Sequence, residues 1–251
     1  MQNNETRAIV LNTFNIKEKN KIIKVFSKNF GKMDLIYKDN KLGSLNNASQ
    51  LDIFSEAFLN VYISKEYAYL IDYELISTRY KLRKNSLKIL YGNVIIELLE
   101  KIFPMYFIED KIYDLTLKVL DNLENKDNNG YLLVLAYILK FLAYTGYKLD
   151  FSKCANCSDS KSKKYYFSSQ EGVLFCNNCT KGYNMYELDY SQITLVNKLL
   201  YSKIDFIPDV EYEDNLYLLT ILIDSIKKIF EINKFNSLSF INLYKKGLYG
   251  Q

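Results

Sequence analysis

Near Arg79 the hydrophobic repeat of this 251-residue chain changes from two residues to between three and four. The period with which a chain hides its apolar side chains decides whether it builds sheets or helices, so the change divides the molecule into a β-rich start and an α-rich remainder. From Thr6 to about Ser77 apolar and polar residues alternate. Ala57, Leu59, Val61 and Ile63 fall on one strand face and Phe54, Glu56, Phe58 and Tyr62 on the other, and Tyr67, Tyr69, Ile71, Tyr73 and Leu75 alternate in the next run. The stretches 22–27 and 33–38 flank Asn29, Phe30, Gly31 and Lys32, a Gly-containing connection of hairpin length. With 7–14 in front and a polar loop over 39–50, about five strands occupy about 75 residues. A small antiparallel barrel of the OB type is the natural closure for such a set.

Beyond Arg79, Leu87, Leu90, Tyr91, Val94, Ile95, Leu98, Leu99, Ile102 and Phe103 recur at helical steps until Pro104 stops them. Ile112, Leu115, Val119 and Leu120 begin a second helical stripe. After Asp127-Asn128-Asn129-Gly130 comes a helix over 131–145, apolar nearly all round, with Gly146 placed to cap it. A helix without a polar face must be surrounded, which places it at the centre of a helical bundle. Leu216, Leu219, Ile223, Ile226 and Phe230 form a later stripe, and 238–244 a last short helix. The expected fold class is α+β: an OB-type β-barrel over 1–79, then an α-helical bundle domain over 80–150 and 186–251, interrupted at 151–185 by an inserted zinc ribbon.

That insertion is read from Cys154, Cys157, Cys176 and Cys179, spaced C-x2-C-x18-C-x2-C. Two cysteines three apart can turn both sulfurs toward one ion, and two such knuckles complete a tetrahedron around zinc. A closed four-thiolate shell has no position for water or substrate, so the metal would hold structure rather than perform chemistry. The runs 165–167 and 173–175 around 168–172 supply the ribbon's hairpin.

Composition sharpens what is excluded. With 49% hydrophobic and 25% charged residues, 9 Gly and 2 Pro, the chain has the makings of an ordered globular protein. There is no histidine, which removes the Ser-His-Asp and Cys-His nucleophiles and imidazole-ligated catalytic zinc. No phosphate-cradling Gly-rich loop and no nucleophile elbow occurs. The carboxylate pairs Glu211 with Glu213 and Glu109 with Asp110 sit in polar or turn-like sequence and read as surface charge. The expectation is a protein that is not an enzyme.

The net charge is +4, but its distribution is uneven. Lys17, Lys19, Lys21, Lys24, Lys28, Lys32, Lys38 and Lys41 face only Glu18, Asp34 and Asp39 in the same segment, so the excess positive charge lies in the barrel. Charge alone does not separate a nucleic-acid surface from a solvated one. Lys161, Lys163 and Lys164 in the ribbon loop are open to the same two readings. The longest apolar run, 131–139, falls short of the roughly 18 residues of a membrane span, and no signal-like segment follows Met1. A cytoplasmic protein is expected.

Several of these segments together resemble the family of the bacterial DNA repair protein RecO. The likeness runs from about Arg7 to about Phe240. It rests on Phe30-Gly31-Lys32 in the barrel turn, the ELISTRYKLRKN segment around Arg79, Gly146-Tyr147 before the first knuckle, Tyr166-Phe167-Ser168 leading to Gly172 and Cys176, and Ile232 to Leu238 near the end. The resemblance implies a recombination mediator that binds single- and double-stranded DNA and anneals complementary strands. It further implies partnership with RecR, with the acidic tail of single-strand binding protein and, indirectly, with RecA, at the nucleoid. On that reading Lys21, Lys24, Lys28, Lys32, Lys38 and Lys41 are the DNA-binding residues; an OB barrel also offers aromatic platforms, and of Phe14, Phe30, Phe58, Tyr62 and Tyr69 at most two are expected to touch bases, the rest reading as core or strand-pair packing. Where relatives carry a run of arginines after the Gly-Lys turn, this chain has Tyr37-Lys38-Asp39-Asn40-Lys41. The alternative is a zinc-ribbon module that binds protein or RNA without annealing.

Overall fold

A computed structural model describes residues 3–17, 20–38, 51–127, 129–180, 184–209 and 216–249. Lys41, the 39–50 loop and the pair Glu211 and Glu213 lie outside the described residues. The chain forms two compact units, Met1–Asn85 with Ile96–Glu124, and Ser86–Ile95 with Asn125–Gln251. The sequence divides the chain at its change of period, whereas the packing divides it within a helix and again after Glu124.

The first unit is built on β1 (Asn3–Lys17), β2 (Asn20–Ser27), β3 (Gly31–Lys38), β4 (Glu56–Ile63) and β5 (Ala68–Ser77). They close in the order β1-β2-β3-β5-β4, antiparallel except for a short parallel join of Leu35 to Ala68 and Ile36 to Tyr69. Alternation explains the barrel: Ala8, Val10, Ile23, Val25, Met33, Leu35, Ala57, Leu59, Val61, Ala68 and Leu70 all point into one core. The run 67–75 does not keep one face. A bulge between the Asn60 and Val61 pairings leaves Ile71 as an extra residue on β5. Ala68 and Leu70 therefore face inward before it and Tyr73 and Leu75 after it, while Tyr69 and Ile71 face out.

Helices α1 (Tyr80–Lys84), α2 (Ser86–Ile102) and α3 (Asp110–Asn125) follow. Outside the barrel wall, Phe26 stacks on Phe103 at 5.5 Å and lies 6.3 Å from Tyr113. Gly31, at φ +64°, sits where a Cβ would meet the Phe107 carbonyl oxygen at 2.0 Å, so the hairpin turn tolerates no side chain there. Arg79 is fully buried and left-handed at φ 44°. It donates to Phe54 O at 3.0 Å, Glu56 Oε2 at 3.0 Å and Asp121 Oδ1 at 2.7 Å, and Glu56 also pairs with Arg7.

In the second unit, α4 (Gly130–Tyr144) has Tyr131–Leu139, Phe141 and Leu142 buried, as its all-apolar face demands. Tyr147 N–H closes on Leu142 O at 2.7 Å past Gly146, whose φ of +90° ends the helix. Around it lie α5 (Tyr190–Tyr201) and α6 (Tyr217–Ile229), with α7 (Asn236–Tyr249) against α6. The inserted sheet comprises β6 (Asp150–Cys154), β7 (Lys164–Ser168), β8 (Val173–Cys176) and β9 (Tyr186–Asp189), in the order β6-β8-β7-β9. The structure thus has the expected class, an N-terminal barrel followed by helices with a cysteine-bearing sheet between them. Among the described residues no helix is long and apolar enough to cross a membrane.

Candidate metal centre and nucleic-acid face

Each knuckle starts at the end of a strand. Cys154 closes β6 and Cys176 closes β8; Ser158 N–H donates to Cys154 O at 2.9 Å, and Cys179 N–H to Cys176 O at 3.0 Å. These tight turns carry Cys157 and Cys179 back beside the first two cysteines. The four sulfurs lie within 4.8 Å of one another, and Cys157 Sγ is 3.6 Å from Cys176 Sγ. Tetrahedral zinc with Zn–S near 2.3 Å sets sulfurs about 3.8 Å apart, so the donor set fits such an ion. Cys154 and Cys176 are buried and Cys157 is exposed.

The thiols also behave as a group. Burial opposes ionisation of Cys154, yet backbone N–H groups of Cys157, Cys176 and Asn156 outweigh it and bring the thiol down to about 6. An N–H from Asp159 favours the Cys157 thiolate, but the neighbouring cysteine side chains push it up to about 12. Four thiolates so close repel one another, and a divalent cation offsets that repulsion.

Sequence reasoning missed what ties this sheet to the helices of its own unit. Ser169, in the β7–β8 turn, donates to Asp224 Oδ2 at 2.5 Å, and Lys228 Nζ reaches Ser169 Oγ at 2.6 Å and Asp224 at 2.8 Å. Burial pushes the Tyr186 hydroxyl up to about 12, with its hydrogen bond to Asp224 acting in the same direction. No short motif announces this anchor, because Ser169 and Asp224 are 55 residues apart.

On the barrel, the five described lysines of the candidate set are not equivalent, and Lys41 lies outside the described residues. Lys24, Lys32 and Lys38 share the outward phase of β2 and β3, opposite to inward Ile23, Val25, Met33 and Leu35. Lys24 Nζ lies 5.6 Å from the Phe14 ring centre, and Lys24 pairs in register with Asp34. Lys38 Nζ stands 5.3 Å over the Tyr69 ring. Lys32 is half-buried; burial holds its ammonium below the ordinary lysine range, and Nζ donates to Glu100 O at 2.5 Å. Lys28, in the exposed turn, faces Asp114 at 3.5 Å. Lys21 shares the inward phase at the end of β2, opposite Tyr37.

The aromatic candidates also separate. Phe30 packs against the barrel core. Phe58, half exposed on β4, pairs in register with Arg7. Tyr62 and Tyr69 stack at 6.3 Å, and Tyr67, which the sequence reading did not single out as a contact, meets Tyr69 edge-on at 6.4 Å. The signal that could have found it is the run of three tyrosines across the tight β4–β5 hairpin, closed by Ser64 N–H to Tyr67 O at 2.8 Å.

Comparison with known proteins completes the picture. A family model described as the N-terminal part of recombination protein O matches residues 1–79, and one for its C-terminal part matches residues 83–227. A protein of Mesoplasma florum named DNA repair protein RecO is 28% identical over 77% of this chain and 73% of its own length. Proteins of the same name from Caldanaerobacter subterraneus and Clostridium novyi are 25% and 27% identical over 70% of this chain, and over 71% and 69% of their own lengths.

Proposed function

The chain belongs to the recombination protein O family, and from that premise we propose that it is a DNA repair protein of the recombination-mediator type, which anneals complementary strands without covalent chemistry. The observation that carries this reading is the outer β2–β3 face, where Lys24 and Lys38 stand beside Phe14 and Tyr69. On an OB barrel that face, with the β1–β2 and β4–β5 connections, is where oligonucleotides bind. Lysines that neutralise phosphates release condensed counterions, giving affinity without sequence preference, and pairing strands of arbitrary sequence asks for no more. Lys32 serves better as a strut, since its ammonium already holds the Glu100 carbonyl.

The four cysteines would hold one zinc ion as a structural brace, which supplies folding free energy and no reaction step. The absence of histidine from the sequence supports a non-enzymatic role. By the family resemblance, the partners are single- and double-stranded DNA, RecR, the tail of single-strand binding protein and, through them, RecA, in the cytoplasm at the nucleoid.

The test is annealing of two complementary oligonucleotides, bare and coated with single-strand binding protein, without ATP and across a salt series. Acceleration on both substrates that fades with salt is the expected result. No acceleration on either, with folded and zinc-loaded protein in the presence of RecR, overturns the reading in favour of an interaction module.

A further inference from the structure

We propose that Tyr62, Tyr67 and Tyr69 form a stacking platform for unpaired nucleobases, which adds recognition of single strands to the lysines' hold on phosphate at this end of the barrel. The inference rests on the nucleic-acid reading above and specifies which chemistry binds there.

The three rings lie on the outside of the barrel, away from its core. Tyr62 and Tyr69 are stacked with their planes 28° apart, and Tyr67, 53% exposed, closes on Tyr69 at 61°. The bulge on β5 turns Ile71, also 53% exposed, out along the same strand. Lys38 over Tyr69 places a cation beside the rings, which suits an occupant that is anionic as well as flat.

The charge on this face is mixed. Lys24 is opposed in register by Asp34, Lys32 is committed to a carbonyl, and Asp72 stands on the same outer face of β5 opposite Asn60. The cationic field over these strands is therefore diluted by carboxylates, and stacking adds to the affinity that the lysines supply. In a duplex the base faces are already occupied by neighbouring pairs, so a ring platform discriminates against it. Stacking also leaves the Watson–Crick edge of a held base open to its complement, which suits a protein that passes strands to one another.

The experiment compares full-length, folded protein binding to oligothymidylate, to an abasic deoxyribose-phosphate oligomer of the same length, and to blunt duplex. The wild type is expected to favour oligothymidylate over the abasic strand by about tenfold or more. Tyr67→Ala combined with Tyr69→Leu removes that preference, with a smaller loss of abasic and duplex affinity because Lys38 loses the ring it stands over. Should the double variant fold poorly, Tyr67→Ala alone weakens oligothymidylate binding and Tyr67→Phe restores it. Equal wild-type affinity for the thymidylate and abasic strands, or a preference that survives the tyrosine variants, overturns the platform and leaves the mediator reading standing. Failure of the wild type to bind any of the three overturns both.

Discussion

Arg79 shows how much one residue can carry in a small barrel. Its guanidinium is fully buried, and three acceptors from different segments converge on it: the Phe54 carbonyl, Glu56 and Asp121. Glu56 is itself 3% exposed, so removing the arginine strands a carboxylate that, among the described residues, keeps its ion pair with Arg7 alone. Arg79→Met is expected to cost about 3–5 kcal/mol, read as a lower urea midpoint with an unchanged slope. Glu56→Gln combined with Arg79→Met should recover part of that loss. The sequence marks the residue as the place where the period changes and as part of a family segment, and in neither as a buried ion-pair centre. Its burial follows from tertiary contacts with positions 25 and 42 residues away, which no local pattern encodes.

At the scale of elements, α5 and α6 carry carboxylates whose protonation the fold resists. Asp189 caps α5: its side chain accepts from Ser191 Oγ and the Gln192 N–H, and these bonds hold its carboxyl below the ordinary range. Burial alone would raise Asp224, but hydrogen bonds from Lys228, Ser169 and Tyr186 outweigh it and depress the group. A depressed carboxyl contributes stability that is complete above its unfolded value near 4 and lost as pH falls through its folded one. Asp224→Asn should therefore cost about 1 kcal/mol at pH 7. The gap between variant and wild type should close as pH falls from about 5 toward 2, measured by urea midpoints. The ribbon makes a second prediction. Cys176→Ser in the full chain is expected to lower bound zinc from about one ion per chain and to reduce the melting temperature while leaving DNA affinity unchanged. Lost DNA binding with zinc and folding intact would count against a purely structural metal. The cysteine cluster was legible because its spacing is local and its chemistry narrow. The five strands were legible because their cores alternate. What escaped was the bulge that reverses the run 67–75, since an extra residue leaves the sequence alternation intact while turning the strand over.

At the scale of the whole molecule, a change of hydrophobic period marks a change of secondary structure and need not mark a boundary of packing. Ile96–Glu124 reads as helix yet belongs with the strands, through contacts such as Phe26 with Phe103 and Lys32 with the Glu100 carbonyl. The barrel's closure gives this a practical meaning. Strands β3 and β5 join at Leu35–Ala68 and Ile36–Tyr69, and the start of β3 is instead bridged by Met105, with Tyr106 N–H donating to Lys32 O at 2.9 Å. A piece cut after residue 79 would lose that cover and bare the edge of β3 from Gly31 to Asp34, ready to pair with another copy. Such a fragment is expected to sediment as concentration-dependent oligomers, and more strongly so than one extended to residue 125, which keeps the bridge over this edge. Genetic dissection of this chain by trimming at the end of its strands would thus create stickiness that the intact protein lacks, and sedimentation of the two fragments measures how much.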